Sequence, residues 1–218
     1  MPIPTSNPTR PPRRGLYAIT NGPRDDLLVA ARAALEGGTA MLQYRDKTRD
    51  DARRLREARV LANLCAQYGV PLIVNDDLEL ARASGASGVH LGEDDPTIAD
   101  ARAALGVAAI IGVSCYDSPE RARDAATAGA GYLAFGAFFP TATKTGTRHA
   151  TTELLREAAQ FGLPRVAIGG LTLENGGSLI DAGADFLAVI SAVFGARDIQ
   201  ARARRFSALF EPPDEDPA

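Results

Sequence analysis

Short apolar segments recur along the chain and alternate with longer segments in which apolar and polar residues mix. Eight apolar segments have the length of a β-strand, and they fall at residues 16–20, 40–44, 71–75, 88–91, 109–114, 132–136, 165–169 and 185–190. Because they are continuously apolar, they predict parallel strands that are covered on their outer side.

Most of the intervals between these strands have a helical pattern. After Thr48, the apolar residues Leu55, Ala58, Ala62 and Cys65 are spaced three, four and three positions apart, which places them along one side of a helix. Gly69 follows and predicts the end of that helix. Strands and helices therefore alternate through the chain.

Eight alternating units predict an α/β fold, specifically a single-domain (β/α)8 TIM barrel over residues 15–210. A doubly wound open sheet is the alternative, although no GxGxxG turn follows the first strand. Residues 1–14 are rich in proline and arginine, and residues 211–218 are acidic, so both ends are predicted to be disordered. In a barrel, the active site is expected at the carboxyl ends of the strands.

Composition narrows the classes of function. The chain has 218 residues, 45% of them hydrophobic, and a net charge of −3 with scattered arginines, which argues against nucleic-acid binding. It lacks both a signal peptide and the roughly 18 consecutive apolar residues of a membrane span. Cys65 and Cys115 form no CxxC pattern, so we expect a cytoplasmic protein. Its expected partners are small-molecule substrates, and association into a homo-oligomer is left open.

Polar and charged residues lie at the end of the second predicted strand. Alternation places Gln43, Arg45 and Lys47 on one side of the second strand end, although a solvated terminus paired with Asp46 or Asp50 gives the same pattern.

Carboxylates follow the third and fourth strands, in segments 75–77 and 90–95. Two aspartates from neighbouring loops can hold Mg²⁺ against substrate phosphates, whereas Asp77 and Asp94 are also suited to begin helices as N-caps.

Phosphate-binding groups follow the later strands. Segment 141–144 offers two hydroxyls and an ammonium, and segments 168–172 and 190–192 lie where such barrels bind phosphate. Lys47 and Lys144 are the only lysines among 24 basic residues, and both fall in candidate sites. Ser114 lacks a histidine in its own loop, so we interpret it as a hydroxyl donor rather than a nucleophile. His90 is interpreted as packing at a strand end, and His149 as lying on an exposed loop.

Seven motifs taken in order resemble the thiamine phosphate synthase family. They are Gln43-Tyr44-Arg45-Asp46-Lys47, Asn75-Asp76, His90-Leu91-Gly92 with Asp95, Gly112-Val113-Ser114, Phe139-Pro140-Thr141-Ala142-Thr143-Lys144, Ile168-Gly169-Gly170 and Ile190-Ser191. The resemblance covers about residues 15–210. Tyr116 stands where the family often has histidine, and Glu93 stands where glutamine is usual.

The resemblance implies a (β/α)8 transferase that joins a pyrimidine methyl diphosphate to a thiazole phosphate and releases pyrophosphate with Mg²⁺. Carried over by position, residues of three groups bind the pyrimidine diphosphate, the metal and the thiazole phosphate. The first group is Gln43, Tyr44, Arg45, Asp46, Lys47, Asn75, Ser114 and Lys144; the second is Asp76 and Asp95; the third is Thr141, Ala142, Thr143, Gly170, Ile190 and Ser191. Within these groups, Arg45, Lys47, Lys144 and Ser114 are the expected catalytic residues.

Three rival functions fit parts of the same pattern. A thiazole tautomerase-like paralogue would not need Asp76, Asp95 and Lys144, and a phosphosugar isomerase would need an acid/base pair at the strand ends. A non-catalytic barrel that binds a phosphorylated ligand is the third rival.

We expect Lys144→Ala to lower turnover by orders of magnitude without unfolding the barrel, because the ammonium would neutralise the leaving pyrophosphate. Arg13→Ala, which removes a cation from the N-terminal arm, is the control and should leave turnover unchanged. Steady-state kinetics and circular dichroism of both variants test the assignment; normal turnover of Lys144→Ala would remove it.

Overall fold

The computed structural model describes Pro11, residues 14–140 and residues 148–211. Eight parallel strands pair in sequence order, and the last pairs with the first, so that the sheet closes into a barrel. The strands are β1 (Gly15–Ile19), β2 (Met41–Tyr44), β3 (Leu72–Asn75), β4 (Gly88–Leu91), β5 (Ile110–Tyr116), β6 (Tyr132–Phe135), β7 (Arg165–Ile168) and β8 (Phe186–Val189). All eight predicted strands are confirmed, and the open-sheet alternative is wrong.

Helices cover the outside of the barrel. They are α1 (Leu27–Glu36), α2 (Asp51–Tyr68), α3 (Leu78–Ser84), α4 (Ile98–Leu105), α5 (Pro119–Thr127), α6 (Thr152–Glu157) with the 3₁₀ turn Ala158–Phe161, α7 (Gly176–Asp181), α8 (Ser191–Phe194) and α9 (Ile199–Ala208). The predicted end of α2 is confirmed, because Gly69 adopts the left-handed conformation there at φ 65°.

Side chains of the loops fix where several helices begin. Asp77 accepts a hydrogen bond from the Leu80 amide and is the N-cap of α3, which confirms that interpretation of its role. Asp94 does not begin α4, since Thr97 is the N-cap there and forms a capping box with Asp100.

The alternation of side chains along each strand divides the core into two layers. One layer fills the space between the strands and the helices. The other lies inside the barrel, where residues two positions apart on each strand point inward. The inner layer is made of Tyr17, Ile19, Met41, Ile73, Ile110, Tyr132, Ala134, Val166, Phe186 and Ala188.

Two glycines let the inner layer pack closely. A Cβ atom on Gly112 would lie 1.9 Å from Cζ of Tyr132, and a Cβ atom on Gly88 would lie 1.8 Å from the carbonyl oxygen of Ile110. Gly112 therefore provides the space that the ring of Tyr132 occupies inside the barrel.

The two predicted disordered ends lie mostly outside the described residues, namely at positions 1–10, 12, 13 and 212–218. Arg14, which the prediction placed in the N-terminal arm, instead contacts the barrel: its guanidinium lies 3.4 Å from Asp185 and 6.0 Å from the ring centre of Phe210. Among the described helices, none combines the length and apolar character that crossing a bilayer requires.

We expect Gly112→Ala to lower the free energy of unfolding by about 1–3 kcal/mol, because the new methyl group must displace the buried ring of Tyr132. Gly177→Ala is the matched control: it lies in α7 with no atom within 4 Å of the new Cβ, and should gain up to about 1 kcal/mol from helix propensity. Urea unfolding of both variants measures the contrast, and equal stabilities would contradict the packing argument.

Candidate active site

A cavity of about 670 Å³ opens at the carboxyl ends of the strands. This is the end where enzymes with this fold carry their active sites. Ten of the residues that the sequence singled out line this cavity: Gln43, Arg45, Lys47, Asn75, Asp76, Asp95, Ser114, Gly170, Ile190 and Ser191. The structure therefore brings together residues from six different strand ends.

The segment after β2 sends alternate side chains in opposite directions. Gln43, Arg45 and Lys47 line the cavity, as their spacing predicted. Tyr44 and Asp46 instead point outward to α2, where the Tyr44 hydroxyl donates to Glu57 at 2.6 Å. The side chains of Tyr44 and Asp46 are therefore not among those that the structure brings to the cavity, because the two-residue period of the strand continues through position 47.

Asp46 holds the loop between β2 and α2. Its buried carboxylate accepts the Thr48 amide at 2.8 Å and lies 2.8 Å from the guanidinium of Arg53. Burial raises the pKa of Asp46, but the hydrogen bonds from Thr48 and the charge of Arg53 outweigh burial and lower it overall. Asp46 thus holds the backbone that carries Arg45 and Lys47, from the side of the strand that faces α2.

The backbone of Arg45 is also fixed. The hydroxyl of Thr20, at the end of β1, accepts the Arg45 amide at 2.8 Å and donates to the Arg45 carbonyl at 3.1 Å. Thr20 is fully buried, so the backbone from which the Arg45 side chain enters the cavity has little freedom.

Two carboxylates face each other across the ends of β3 and β4. Asp76 lies 3.5 Å from the ammonium of Lys47, and Asp95 accepts the amide of Gly92. Burial raises the pKa of Asp95; the Gly92 amide opposes this shift, and the hydrogen bond and charge of Asp76 add to it. A carboxyl group whose pKa is raised by burial and by a neighbouring carboxylate forms, with that neighbour, a donor set that a divalent cation would stabilise.

This donor set suits Mg²⁺, an ion that does not need a cage made entirely of protein ligands. Among the described residues, no cluster of three or more histidine, cysteine or acidic side chains has metal-binding geometry. Mg²⁺ commonly uses one or two carboxylates and fills its remaining positions with waters and substrate phosphate oxygens. Asp76 and Asp95 supply that number of ligands at the cavity wall.

Two residues at the cavity have left-handed backbone conformations without being glycine. Asp76 has φ 64° and Tyr116 has φ 55°, and a bulge interrupts the pairing of β5 and β6 between Ser114 and Tyr116. Such conformations are costly for an aromatic residue and are concentrated at functional sites. They direct the side chains of Asp76 and Tyr116 to the cavity rather than along the strand.

Glu93 and Tyr116, two of the positions that depart from the family pattern, share their partners. Glu93 lies 2.9 Å from Arg148 and 3.8 Å from Arg121. The same two guanidinium groups lie 4.6 Å and 5.5 Å from the ring centre of Tyr116. Glu93 and Tyr116 therefore form one cluster of charged and aromatic groups at the rim of the cavity.

The opposite wall offers backbone amides. Gly169 and Gly170 have φ values of 103° and 65°, and a Cβ atom on Gly170 would lie 2.5 Å from the carbonyl oxygen of Pro140. Asn175 holds this loop by donating to the Gly170 carbonyl at 3.0 Å and accepting the Thr172 amide at 2.8 Å. At Ser191 a short helix begins, and the first amides of a helix have no acceptor within it.

Four predicted residues cannot be placed. Thr141, Ala142, Thr143 and Lys144 lie outside the described residues, and Pro140, directly before them, lines the cavity. Lys47, the other lysine of the predicted site, lies beside Asp76 at the cavity wall, whereas the position of Lys144 stays a prediction.

Hydrogen bonds also connect polar groups of the cavity wall through the inside of the barrel, and the sequence contained no indication of these contacts. Gln43 donates through Nε2 to the Tyr17 hydroxyl at 2.6 Å, and the hydroxyls of Tyr17 and Tyr132 lie 2.8 Å apart. Nδ1 of His90 lies 2.9 Å from the Tyr132 hydroxyl, and its Nε2 lies 2.9 Å from the hydroxyl of Ser114. The histidine that the Ser114 loop itself lacks thus comes from the neighbouring strand.

A sequence signal for part of this network existed. Tyr17 and Tyr132 occupy inward positions of their strands by the same alternation that selected Gln43. Their apolar neighbours led to the interpretation of both segments as ordinary buried strands, and nothing in the sequence shows that their hydroxyls meet across the barrel.

A closed parallel barrel with cations, paired carboxylates and exposed backbone amides at its carboxyl end defines the class of (β/α)8 enzymes that act on phosphorylated substrates. The family model described as thiamine monophosphate synthase matches residues 16–193. The chain belongs to the thiamine monophosphate synthase family.

Individual relatives agree with this assignment. The chain is 55% identical over 204 residues to thiamine-phosphate synthase of Xanthomonas campestris pv. campestris, covering 93% of this chain and 99% of that protein. It is 55% identical over 200 residues to the protein of the same name from Azoarcus sp., covering 90% and 97%. The solved structure of thiamine phosphate pyrophosphorylase from Pyrococcus furiosus superimposes with a TM-score of 0.81 at 33% identity, covering 89% of this chain and 94% of that one.

We expect Asp46→Asn to lower the free energy of unfolding at neutral pH by about 1–3 kcal/mol, because it weakens the buried hydrogen bond from Thr48 and removes the nearest of the carboxylates around Arg53. Folding lowers the pKa of Asp46, so its contribution is present above the unfolded value of about 3.9 and is lost as pH falls through the folded value. The difference from the parent chain should therefore shrink in acid. Urea unfolding at neutral and acidic pH measures it.

The exposed Asp51, at the start of α2, provides a matched control. Asp51→Asn should change stability by no more than a few tenths of a kcal/mol, since its ion pair with Arg54 is solvated. A loss for Asp46→Asn that is as small as the control's, or that grows in acid, would contradict the structural role of Asp46.

Proposed function

We propose that the chain condenses 4-amino-2-methyl-5-(diphosphooxymethyl)pyrimidine with thiazole phosphate to give thiamine phosphate and pyrophosphate. The observation that supports this most directly is the meeting of Arg45, Lys47, Asp76 and Asp95 at one wall of the cavity. That wall carries both the cations that a diphosphate requires and the carboxylates that a divalent metal requires.

The side chains of this wall would act on the leaving group. The bond that breaks joins the ring methylene to a diphosphate oxygen, so negative charge grows on the pyrophosphate as the bond lengthens. Arg45 and Lys47 would neutralise that charge from fixed positions, and the sequence assigns Lys144 to the same task. Cations held in place before the reaction lower the barrier without a cost of reorganisation.

Asp76 and Asp95 would hold Mg²⁺ beside these cations. Bound there, the ion would supply Lewis-acid stabilisation of the diphosphate oxygens. Lys47, at 3.5 Å from Asp76, would then bridge the carboxylate and the leaving group. Asp95 is kept in place by the Gly92 amide, so the ligand set does not depend on the substrate for its geometry.

The other walls would position the two rings. Gln43, Asn75 and Ser114 surround the inner part of the cavity and offer hydrogen bonds to the aminopyrimidine. Gly170, Ile190 and Ser191 face them and present backbone amides to the thiazole phosphate. Holding two reactants in this way can contribute about 7 kcal/mol or more of the barrier reduction.

Such an arrangement suits a dissociative reaction. The electron-rich aminopyrimidine stabilises the methylene cation that forms when pyrophosphate leaves, and the thiazole nitrogen then adds to that cation. Neither step requires a strong protein base. The requirements on the protein are charge stabilisation at one wall and close placement of the rings, which the two walls of the cavity provide.

The rival functions make different demands. A tautomerase-like paralogue would conserve the thiazole wall without a diphosphate wall, and the conjunction of Arg45, Lys47, Asp76 and Asp95 favours the synthase. A non-catalytic barrel would bind the same ligands without releasing pyrophosphate, so an assay of product release separates it from the enzyme.

We also propose that the enzyme works in the cytoplasm, as a protein of small-molecule substrates. Cys65 and Cys115 are unpaired and buried, and burial raises the pKa of both thiols to about 12, so both would remain reduced and unreactive. Self-association stays an open prediction.

We expect Asp76→Asn and Asp95→Asn each to lower turnover by about 100-fold or more, because each removes a charged ligand from the diphosphate wall. The measurement is release of pyrophosphate from both substrates across a titration of Mg²⁺, and the Mg²⁺ requirement of the residual activity should rise. Asp124→Asn, on the exposed face of α5, is the control and should match the parent chain.

Release of pyrophosphate that chelation of divalent cations does not affect would contradict the metal assignment. Tight binding of both substrates without any release would favour the non-catalytic barrel instead.

A further inference from the structure

A continuous chain of four hydrogen bonds joins two residues that line the cavity, Gln43 and Ser114, through the interior of the barrel. In order, it runs from Gln43 to Tyr17, Tyr132, His90 and Ser114, with distances of 2.6, 2.8, 2.9 and 2.9 Å. Both tyrosines are almost fully buried in the inner layer. The two ends of the chain are therefore joined through two buried phenols and the half-buried imidazole of His90.

Each link of this chain has a direction. Nε2 of Gln43 donates to Tyr17. Either phenol can donate in the pair of Tyr17 and Tyr132, and the direction that gives every hydroxyl hydrogen an acceptor within the chain runs from Tyr17 to Tyr132 and from Tyr132 to Nδ1 of His90. A neutral imidazole that accepts at Nδ1 carries its hydrogen on Nε2, which donates to Ser114. Burial raises the pKa of Tyr17 and Tyr132, which keeps both phenols neutral and able to donate.

This direction fixes what the two ends can offer to a ligand. Because the Ser114 oxygen accepts from His90, its own hydrogen remains available for an acceptor in the cavity. Because Gln43 uses its amide nitrogen toward Tyr17, its carbonyl oxygen remains as an acceptor for a donor in the cavity. Ser114 therefore offers a hydrogen donor, and Gln43 offers an acceptor beside the second hydrogen of its amide nitrogen.

We infer that Tyr17, Tyr132 and His90 are positioning residues for the aminopyrimidine, which they serve by setting Ser114 as a donor and Gln43 as an acceptor. The inference rests on the proposed function and extends it to three residues that do not need to touch the reacting atoms. An aminopyrimidine carries both an amino group that donates and ring nitrogens that accept, so it matches one end of each kind. A ring with donors alone on these edges would leave the hydroxyl hydrogen of Ser114 without an acceptor.

The packing around the chain indicates that it is a built feature of the barrel. Tyr132 crosses the interior only because Gly112 has no side chain. The rings of His90 and Tyr132 are stacked, with centres 5.6 Å apart and planes inclined by 14°, and the rings of Tyr17 and Tyr132 meet edge to face at 5.9 Å. Phenylalanine would fill the same volume, as Phe186 does in this layer, without the cost of burying a hydroxyl.

The opposite direction would give the cavity a different chemistry. If Ser114 donated to Nε2 of His90, the pair would have the arrangement of a serine activated by a histidine base, and Ser114 would present lone pairs to the ligand. Which nitrogen of His90 carries the hydrogen therefore decides whether Ser114 positions the ligand or is activated as a nucleophile.

The tautomer of His90 can be read directly by nitrogen-15 NMR of the full-length chain, because His149 is the only other histidine. Spectra are recorded in mildly alkaline buffer, where imidazole is neutral, and the exposed His149 is identified with the His149→Gln variant. We expect His90 to carry its hydrogen on Nε2 and to lose this preference in Tyr132→Phe. A predominant Nδ1 hydrogen, or a mixture of tautomers in the parent chain, would overturn the inference.

A double-mutant cycle tests whether Tyr17 and Ser114 are energetically coupled through the hydrogen bonds that join them. Tyr17 and Ser114 are separated by three hydrogen bonds, and distant substitutions with no shared partner usually combine to within about twofold. We expect Tyr17→Phe alone to raise the KM of the pyrimidine diphosphate about threefold to tenfold without changing the KM of the thiazole phosphate. The double variant that combines Tyr17→Phe with Ser114→Ala should retain a kcat/KM at least about three times the value expected if the two single losses multiplied.

Tyr68→Phe provides the matched control, since it removes a phenol hydroxyl that lies outside the barrel and contacts Glu36. Tyr68→Phe should leave both KM values unchanged and combine with Ser114→Ala by simple multiplication. Thermal unfolding confirms that each variant is folded. If the losses of Tyr17→Phe and Ser114→Ala simply multiply, the coupling through the hydrogen bonds is overturned. The tautomer of His90 is read without turnover, so failure of the proposed reaction would leave the NMR result intact.

Discussion

Closure of the parallel sheet is the constraint on which the rest of the molecule depends. Since every strand runs in the same direction and β8 pairs with β1, all eight carboxyl ends meet around one opening. The loops that follow these ends then contribute to a single cavity although they are far apart in sequence. Without closure, the diphosphate wall after β2 to β4 and the amide wall after β7 and β8 would not face each other.

Alternation along the strands assigns each side chain to one of two environments. In the segment after β2, the cations Arg45 and Lys47 face the cavity, while Tyr44 and Asp46 bind to α2 on the other side. The outward groups support the inward ones, since they hold the same few residues of backbone. A short run of mixed charges thus divides into a binding surface and its support.

The inner layer shows how a polar network can exist inside an apolar barrel. The hydroxyls of Tyr17 and Tyr132 would each cost free energy if buried alone, and they are stable here because each has partners on both sides. Gly112 makes the crossing of the Tyr132 ring possible, so one missing side chain permits the whole network. The base of the cavity is therefore polar and fixed, which suits recognition of a heteroaromatic ring.

By itself, the sequence determined the eight strands, the barrel, the end at which the site lies and most of its polar residues, because strand period and position after a strand are local properties. The family resemblance also assigned Tyr44 and Asp46 to the site, whereas strand alternation turns them away from it, and only the tertiary structure decided that their partners lie on α2. The contacts of Ser114 with His90, of Tyr17 with Tyr132, and of Glu93 with Arg121 and Arg148 join distant parts of the chain. Such contacts depend on how the strands close and how the side chains pack across the barrel, which no local pattern of residues specifies.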